Sequence, residues 1–412
     1  MPLKLSSFLN ILMRGLSLGC KFLLIFVLAE FLTPAEVGEY GLISSIIGLG
    51  VYIIGLEFYT FSTREIINSA PEEKIELIIN QLYLYTPLYI LSIPALYYIY
   101  LNYNLEIKYL PIVYSLLVTE HAALEINRIL ISLNKALLAG RILFIRMGAW
   151  VILLITTQYF IENTRSLPIV LYFWIFGSVA ACLIGTKLIL RDLPNPNSLK
   201  IKKEWMKNGL KTIIPLLIAS IALRGMSTID RFMLEAVSGI ESVAPYIVYS
   251  GICAAIISLV DAGVVDFLYP KLINLANNNK TKELIKEIRK SAMLILFLSI
   301  LLLITANTLG KHILTTFTRP IYSENFWILQ YLSLSTILYA SAMPAHLFLY
   351  ATKKDSKIMQ SQLIGLLSFV TVFYFLKEQY NLAEQAVLGA VIAGWATISI
   401  TKNYWAFFKK VD

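Results

Sequence analysis

The sequence predicts an all-α polytopic membrane protein, with twelve transmembrane helices in two pseudo-symmetric six-helix lobes around a central cavity. Three observations carry that expectation. Of 412 residues, 58% are hydrophobic and 15% charged, and the mean hydropathy is +0.70, which is too apolar for an ordinary soluble domain. Apolar runs long enough to cross about 30 Å of hydrocarbon recur from end to end. Basic residues gather in alternate connections between those runs, as they do in membrane proteins of fixed orientation.

The spans fall near 9–32, 38–61, 77–101, 109–133, 142–161, 167–190, 212–236, 243–268, 291–309, 326–350, 358–376 and 383–406. The first carries Arg14 and Lys21 and lacks a small-residue cleavage site, so it reads as a mature helix rather than a signal peptide. Cys20, Cys182 and Cys253 each sit in an apolar span and read as small buried side chains, not as a disulfide or metal framework. With the N terminus in the cytoplasm, 24 of the 35 basic residues face that side and five (Lys108, Arg165, Lys311, Arg319 and Lys377) face outward. Both termini are therefore expected in the cytoplasm. The net charge of +9 is then a topology signal next to anionic headgroups, not a nucleic-acid footprint.

The polar stretch Arg191-Asp-Leu-Pro-Asn-Pro-Asn-Ser-Leu-Lys divides six spans from six. It gives an N-terminal lobe over 1–195, a cytoplasmic linker over 196–211 and a C-terminal lobe over 212–412. A shift of 206 positions lays the first hairpin over the seventh and eighth spans: Gly19 on Gly225, Leu28 on Leu234, Val37 on Val243, Tyr40 on Tyr246 and Ser44 on Ser250. An even number of spans per half makes the repeat parallel, which places a substrate cavity between the halves.

Charges inside spans are disfavoured by roughly 2.5–3.5 kcal/mol each on insertion scales, so each needs a partner or a wet cavity. Arg14 and Lys21 share one side of span 1. Span 4 holds Glu120, His121, Glu125 and Arg128, of which the last three follow i, i+4, i+7 spacing and share a face. Span 5 adds Arg146, span 2 Glu57, span 8 Asp261 and Asp266, and span 10 His346 beside Pro344. Span 7 carries Arg224, Asp230, Arg231 and Glu235. Two readings stand side by side. Asp230 with Arg231 is expected to be a structural charge pair at a helix end, as Glu125 with Arg128 could also be. Arg14, Lys21, Arg128, Arg146 and Arg224 are the candidates for binding an anionic substrate, since guanidinium grips phosphate in bidentate fashion. Glu120, His121 and Glu125 are the candidates for proton or cation coupling.

Leu28-Ala-Glu-Phe-Leu-Thr-Pro-Ala-Glu-Val-Gly38-Glu-Tyr40-Gly-Leu-Ile resembles the signature that joins the first two helices of polysaccharide repeat-unit (Wzx-type, O-antigen or capsule) flippases. Ile229-Asp230-Arg231-Phe-Met-Leu through Val243-Ala-Pro-Tyr246 is similar to their second-half signature. These proteins belong to the multidrug/oligosaccharidyl-lipid/polysaccharide exporter superfamily. The resemblance implies two six-helix lobes around a cavity that opens alternately to each side. It also implies a cargo of oligosaccharide on undecaprenyl diphosphate, carried from the inner to the outer leaflet of the bacterial inner membrane, and a polysaccharide polymerase as partner. It matches Arg14 to a first-helix basic position. Glu30 stands where a basic residue is often found, and Ala-Pro replaces the glycine expected before Tyr246.

No phosphate-cradling glycine loop, nucleotide-binding domain or metal-ligand cluster is evident, so no enzymatic activity and no cofactor is expected. Energy is then expected from H+ or Na+, from the cargo gradient or from a separate protein. An ion-coupled multidrug antiporter of the same superfamily, a peptidoglycan-precursor flippase and a membrane-embedded polysaccharide polymerase are the alternatives. The first should favour acidic cavity residues, the second two further spans, and the third a large outer loop.

Overall fold

The computed structural model describes residues 5–103, 105–194, 200–380 and 382–408, and among them the regular structure is helical throughout. The long helices are α1 (Leu5–Phe31) and α2 (Pro34–Gly55), a short α3 (Tyr59–Asn68), α4 (Pro71–Asn102) and α5 (Leu110–Ser132). They continue with α6 (Ala136–Phe160), α7 (Leu167–Asp192), α8 (Lys203–Ser238) and α9 (Ile240–Asn277). The last four are α10 (Thr281–Phe317), α11 (Trp327–Ala351), α12 (Asp355–Tyr380) and α13 (Glu384–Phe408). Eleven of these are long and apolar enough to cross a membrane. Helix α5 has the length, at 23 residues, but Glu120, His121, Glu125 and Arg128 dilute its apolarity. The chain is a multi-pass membrane protein.

Local chemistry explains where the helices begin. Proline occupies the first turn of α2, α4, α5 and α7, where its missing N–H costs nothing and its φ is already helical. At the start of α2, the Thr33 N–H donates to Glu36 Oε2 at 3.0 Å and the Glu36 N–H donates to Thr33 Oγ1 at 3.3 Å. This reciprocal capping box satisfies two otherwise orphaned donors. It gives the Thr-Pro-Ala-Glu stretch of the first hairpin a plain structural role.

One expected span is corrected. Residues 38–61 do not form a single helix, because α2 stops at Gly55 and α3 starts at Tyr59. Leu56 and Glu57 between them both adopt left-handed backbone, at φ 51° and 57°. L-residues with a Cβ visit that region at a cost, and such strain persists only where the surroundings hold it. Here Glu57 is buried and Phe58 is completely enclosed, with its ring edge-on to Trp205 at 5.2 Å. Three other long helices carry a single widened π turn, α6 at Ile145–Ala149, α9 at Asp261–Val265 and α13 at Tyr404–Phe408.

The chain forms two compact units, Met1–Leu32 with Leu42–Leu217, and Thr33–Gly41 with Ile218–Asp412. The core of the first includes Ile78, Ile126, Leu130, Ile142 and Ala181. The second has two apolar clusters, one around Leu272, Ile288 and Leu349 and one around Val260, Ile295 and Ala340. Large apolar side chains such as Leu91, Phe176, Leu183, Met293, Phe297 and Leu367 stand exposed, as a surface solvated by lipid tails requires. Residues 203–211 of the expected linker are the first turns of α8, while 195–199 lie outside the described residues.

Candidate functional site

In the first unit the charges of α5 are joined to three neighbouring helices. On the face shared by His121, Glu125 and Arg128, the Arg128 Nη1 donates to Glu125 Oε1 at 2.5 Å. The other oxygen of Glu125 accepts from Gln81 Nε2 at 2.5 Å and from the Tyr85 hydroxyl at 3.1 Å. Gln81, Tyr85 and Tyr89 follow one another at four-residue steps and so line one stripe of α4. The Tyr89 hydroxyl shares a 2.6 Å hydrogen bond with His121 Nδ1, while His121 Nε2 is buried without a partner. The Arg128 guanidinium lies 3.4 Å above the Tyr59 ring. Tyr59 is the first residue of α3, so the strained break after α2 delivers the ring that covers this ion pair.

Glu120, on the adjoining stripe, takes a second set. Its Oε2 accepts from Arg146 Nε at 2.8 Å and its Oε1 from Trp174 Nε1 at 2.9 Å. Trp174 stacks on Trp150, 6.1 Å between centroids and 9° from parallel. The Trp150 indole in turn donates to the Arg146 carbonyl at 2.8 Å. Arg146 belongs to the π turn of α6. The Lys21 ammonium sits 5.9 Å over the Trp174 ring, with Glu120 and Arg146 as its charged neighbours. Glu57 acts on Arg128 from across the helix break. Three acidic side chains (Glu57, Glu120 and Glu125) therefore stand with three basic ones (Lys21, Arg128 and Arg146), and their formal charges cancel.

Sequence reasoning names six members of this network as site candidates (Lys21, Glu120, His121, Glu125, Arg128 and Arg146) and Glu57 as an intramembrane charge. The structure brings them together, pairing Arg128 and Arg146 with the carboxylates Glu125 and Glu120. What sequence reasoning missed are the uncharged members: Gln81, Tyr85 and Tyr89 on α4, and the Trp150–Trp174 stack. Their four-residue spacing on α4 was the available signal. Arg14, one further candidate, is exposed on α1.

The second unit treats its charges differently. Arg224 is exposed on α8. Asp230 is buried, 5% exposed. Its two oxygens accept from the Tyr246 hydroxyl at 2.5 Å and from the backbone N–H of Arg231 at 2.7 Å. The aspartate and the tyrosine of the Asp230-to-Tyr246 stretch are thus hydrogen-bonded to each other. The close packing of this unit also explains two glycines. A Cβ at Gly38 would strike the Ile240 backbone oxygen, and one at Gly41 the Ile247 side chain.

Within the same unit lies a cavity of about 440 Å³, whose polar lining includes Asp261, Asp266, Tyr339, His346, Gln362 and Lys402. Lys402 is 5% exposed. It was not among the candidates, because a lysine near the end of the last span counts towards the cytoplasmic charge. Among the described residues no cluster of His, Cys, Asp and Glu is arranged to hold a metal ion. Cys20 and Cys253 are buried, Cys182 is partly buried, and all three are free thiols.

Comparison with known proteins places these features in a family. The capsular polysaccharide biosynthesis protein CapF of Staphylococcus aureus is 26% identical over 414 residues, covering 96% of each chain. Among solved structures, an inward-facing multidrug resistance MATE family transporter of the MOP superfamily matches with a TM-score of 0.75 at 13% identity, covering 96% of this chain and 97% of that one. An outward-facing MATE family transporter of the MOP superfamily matches with a TM-score of 0.62 at 14% identity, covering 97% and 95%. At such identities the likeness establishes the fold, which is that of these transporters. The family model described as "Polysaccharide biosynthesis protein" matches residues 4–275, and the chain belongs to that family.

Proposed function

We propose that this membrane-spanning member of the polysaccharide biosynthesis protein family is an alternating-access flippase. Its cargo is an oligosaccharide repeat unit on a lipid diphosphate, moved from the inner to the outer leaflet of a bacterial cytoplasmic membrane with both termini inside. The observation that carries the reading is the joint one: a polysaccharide-biosynthesis family match over 4–275 on a chain whose whole length has a transporter fold. The physical need fits. Sugar hydroxyls that enter hydrocarbon lose their hydrogen bonds to water, so a polar path must be supplied for the head while the lipid tail stays in the bilayer. We read the chain as a transporter rather than an enzyme for the same reasons.

Arg14 of the first unit and Arg224 of the second are each, in this reading, a cation that the diphosphate meets. Their exposure supports it, and Lys21 adds a third cation. Arg128 and Arg146 are already held by carboxylates, so they contribute as counter-charges. Proton coupling would act through those carboxylates: protonation of Glu125 or Glu120 removes a counter-charge and frees a guanidinium for the cargo. His121, hydrogen-bonded to Tyr89 beside Glu125, is the third group available to such a step. A polymerase acting on the outer leaflet would receive the product.

The test uses proteoliposomes holding the full chain and a fluorescent oligosaccharide linked to a polyprenyl diphosphate, with flipping read from protection against a membrane-impermeant quencher. Transport by the wild-type chain is expected, with loss in Arg14→Ala and Arg224→Ala at normal protein levels. Unchanged transport in both variants removes the diphosphate role. Glu125→Gln should alter the pH dependence of transport, and a pH response like that of the wild-type chain counts against coupling there.

A further inference from the structure

We propose that the cavity in the second unit is a pocket for one sugar residue that bears an acidic group, a point at which the head of the cargo is read. This rests on the reading of the chain as an oligosaccharide carrier. The pocket lies among α8, α9, α11, α12 and α13 and measures about 440 Å³, within the range of small-molecule sites.

Three of its polar groups have bonding capacity to spare. Lys402 lines the cavity at 5% exposure, and its ammonium meets no carboxylate within ion-pair distance among the described residues. Gln362 is equally buried, and its side-chain oxygen accepts no hydrogen bond; the His346 Nδ1 is unpartnered as well. Buried polar atoms without partners are destabilising, so this wall favours a guest that supplies both donors and acceptors. Asp261, which opens the widened turn of α9, and Asp266, which follows it, add two carboxylates.

The mixture of signs narrows the guest. A bare inorganic anion would meet the two aspartates, and a bare cation would meet the lysine. A polyol with a single acid satisfies all of them: hydroxyls donate to Asp261, Asp266 and Gln362, while the acid pairs with Lys402 in a charge-assisted contact. Tyr339 and Trp395, packed edge-to-face at 4.8 Å, supply the aromatic surface on which the C–H face of a sugar ring rests.

The experiment measures D-glucuronate, D-glucose and inorganic phosphate binding to the full-length protein in detergent by saturation-transfer NMR. Glucuronate is expected to bind about tenfold more tightly than glucose, a difference of roughly 1.4 kcal/mol, with no displacement by phosphate. Lys402→Met should abolish the preference and leave glucose binding intact, whereas Asp261→Asn and Gln362→Leu should weaken both sugars. A thermal melt of each variant establishes that it is folded. The pocket is overturned if wild-type protein binds neither sugar, if glucuronate binds equally to folded Lys402→Met, or if phosphate displaces it. Deletion of the chain from the cell, scored by surface polysaccharide, tests the carrier reading separately. Intact polysaccharide ends that reading, whereas lost polysaccharide without sugar binding ends only the pocket.

Discussion

In the first unit Glu125 is met by Arg128, Gln81 and Tyr85, and Glu120 by Arg146 and Trp174. In the second unit Lys402 and Gln362 are as deeply buried, yet they face a cavity without such partners. Both regions place ionisable groups inside long apolar helices, where each must find either a partner or a space that admits one. The carboxylates of the first region have taken the former course, although Gln81 Oε1 and His121 Nε2 there stay unpartnered, and Lys402 of the second has taken the latter. A closed network fixes the packing of α4, α5, α6 and α7 against one another. An open one keeps its binding capacity for something that is not part of the chain.

The comparison breaks most readily at Glu125. Replacing it with leucine leaves the Arg128 charge buried without its carboxylate, and the expected loss is about 3–5 kcal/mol. The double variant Glu125→Leu with Arg128→Met should recover most of that loss, since removing both charges also removes the need to solvate them. Thermal unfolding in detergent measures both. A single variant that loses less than about 1 kcal/mol shows that the pair behaves like an exposed one and that the network is not closed.

Lys402→Met should go the other way. Removing an ammonium without an ion-pair partner from a 5% exposed position is expected to stabilise the unliganded protein by about 1–3 kcal/mol. The opposite signs of the two variants are the sharpest form of the contrast, and a destabilised Lys402→Met would place that lysine in a closed network too.

Much of this was legible in the sequence and some of it was not, for physical reasons. Helix positions follow from apolar runs, because a bilayer leaves a spanning chain few alternatives to helix. The shared face of His121, Glu125 and Arg128 follows from helical spacing, and the structure shows that Glu125–Arg128 pair along it. The break at Leu56–Glu57 was not legible, since Gly55 before it sits in an apolar run that reads as one continuous span; tertiary packing around Phe58 imposes it. Gln81, Tyr85 and the Trp150–Trp174 stack were also hidden. The four-residue spacing on α4 shows that Gln81 and Tyr85 share a stripe, but which carboxylate they meet across helices is not carried by spacing within one helix. Lys402 was read by its nearness to the end of a span, whereas its burial depends on α11 and α12 packing over it.

Gly177→Ala tests the support of the Glu120 branch. A Cβ there would lie 2.5 Å from Trp150 Cδ1 and 2.8 Å from Cγ, pushing on the ring that stacks against Trp174. Overpacking of this kind costs about 1–3 kcal/mol, seen as a lower melting temperature. A neutral outcome would mean that the stack has room to shift and does not hold Glu120 in place.

The smallest expected effect lies at the first unit's polar rim, outside the spans, where the same pairing chemistry is exposed. Lys202 Nζ lies 3.0 Å from Glu73 Oε1 and 3.5 Å from Glu76 Oε2, and the Asn80 side chain bridges the Lys202 N–H and the Lys200 carbonyl at 2.6 and 3.1 Å. Burial alone would lower the Lys202 ammonium, but the Glu73 and Glu76 carboxylates outweigh it and hold the group above its ordinary value of 10.5. A group raised on folding contributes stability that is fully present below its unfolded pKa and is lost as pH rises through the folded one. The wild-type melting temperature should therefore fall more than that of Lys202→Gln between about pH 10 and 12, by the equivalent of less than about 1 kcal/mol because the pair is partly solvated. Parallel curves for the two proteins would show that the pair adds nothing and that Asn80 alone ties the start of α8 to α4. A difference as large as that at Glu125 would erase the distinction between closed interior pairs and rim pairs from which the comparison starts.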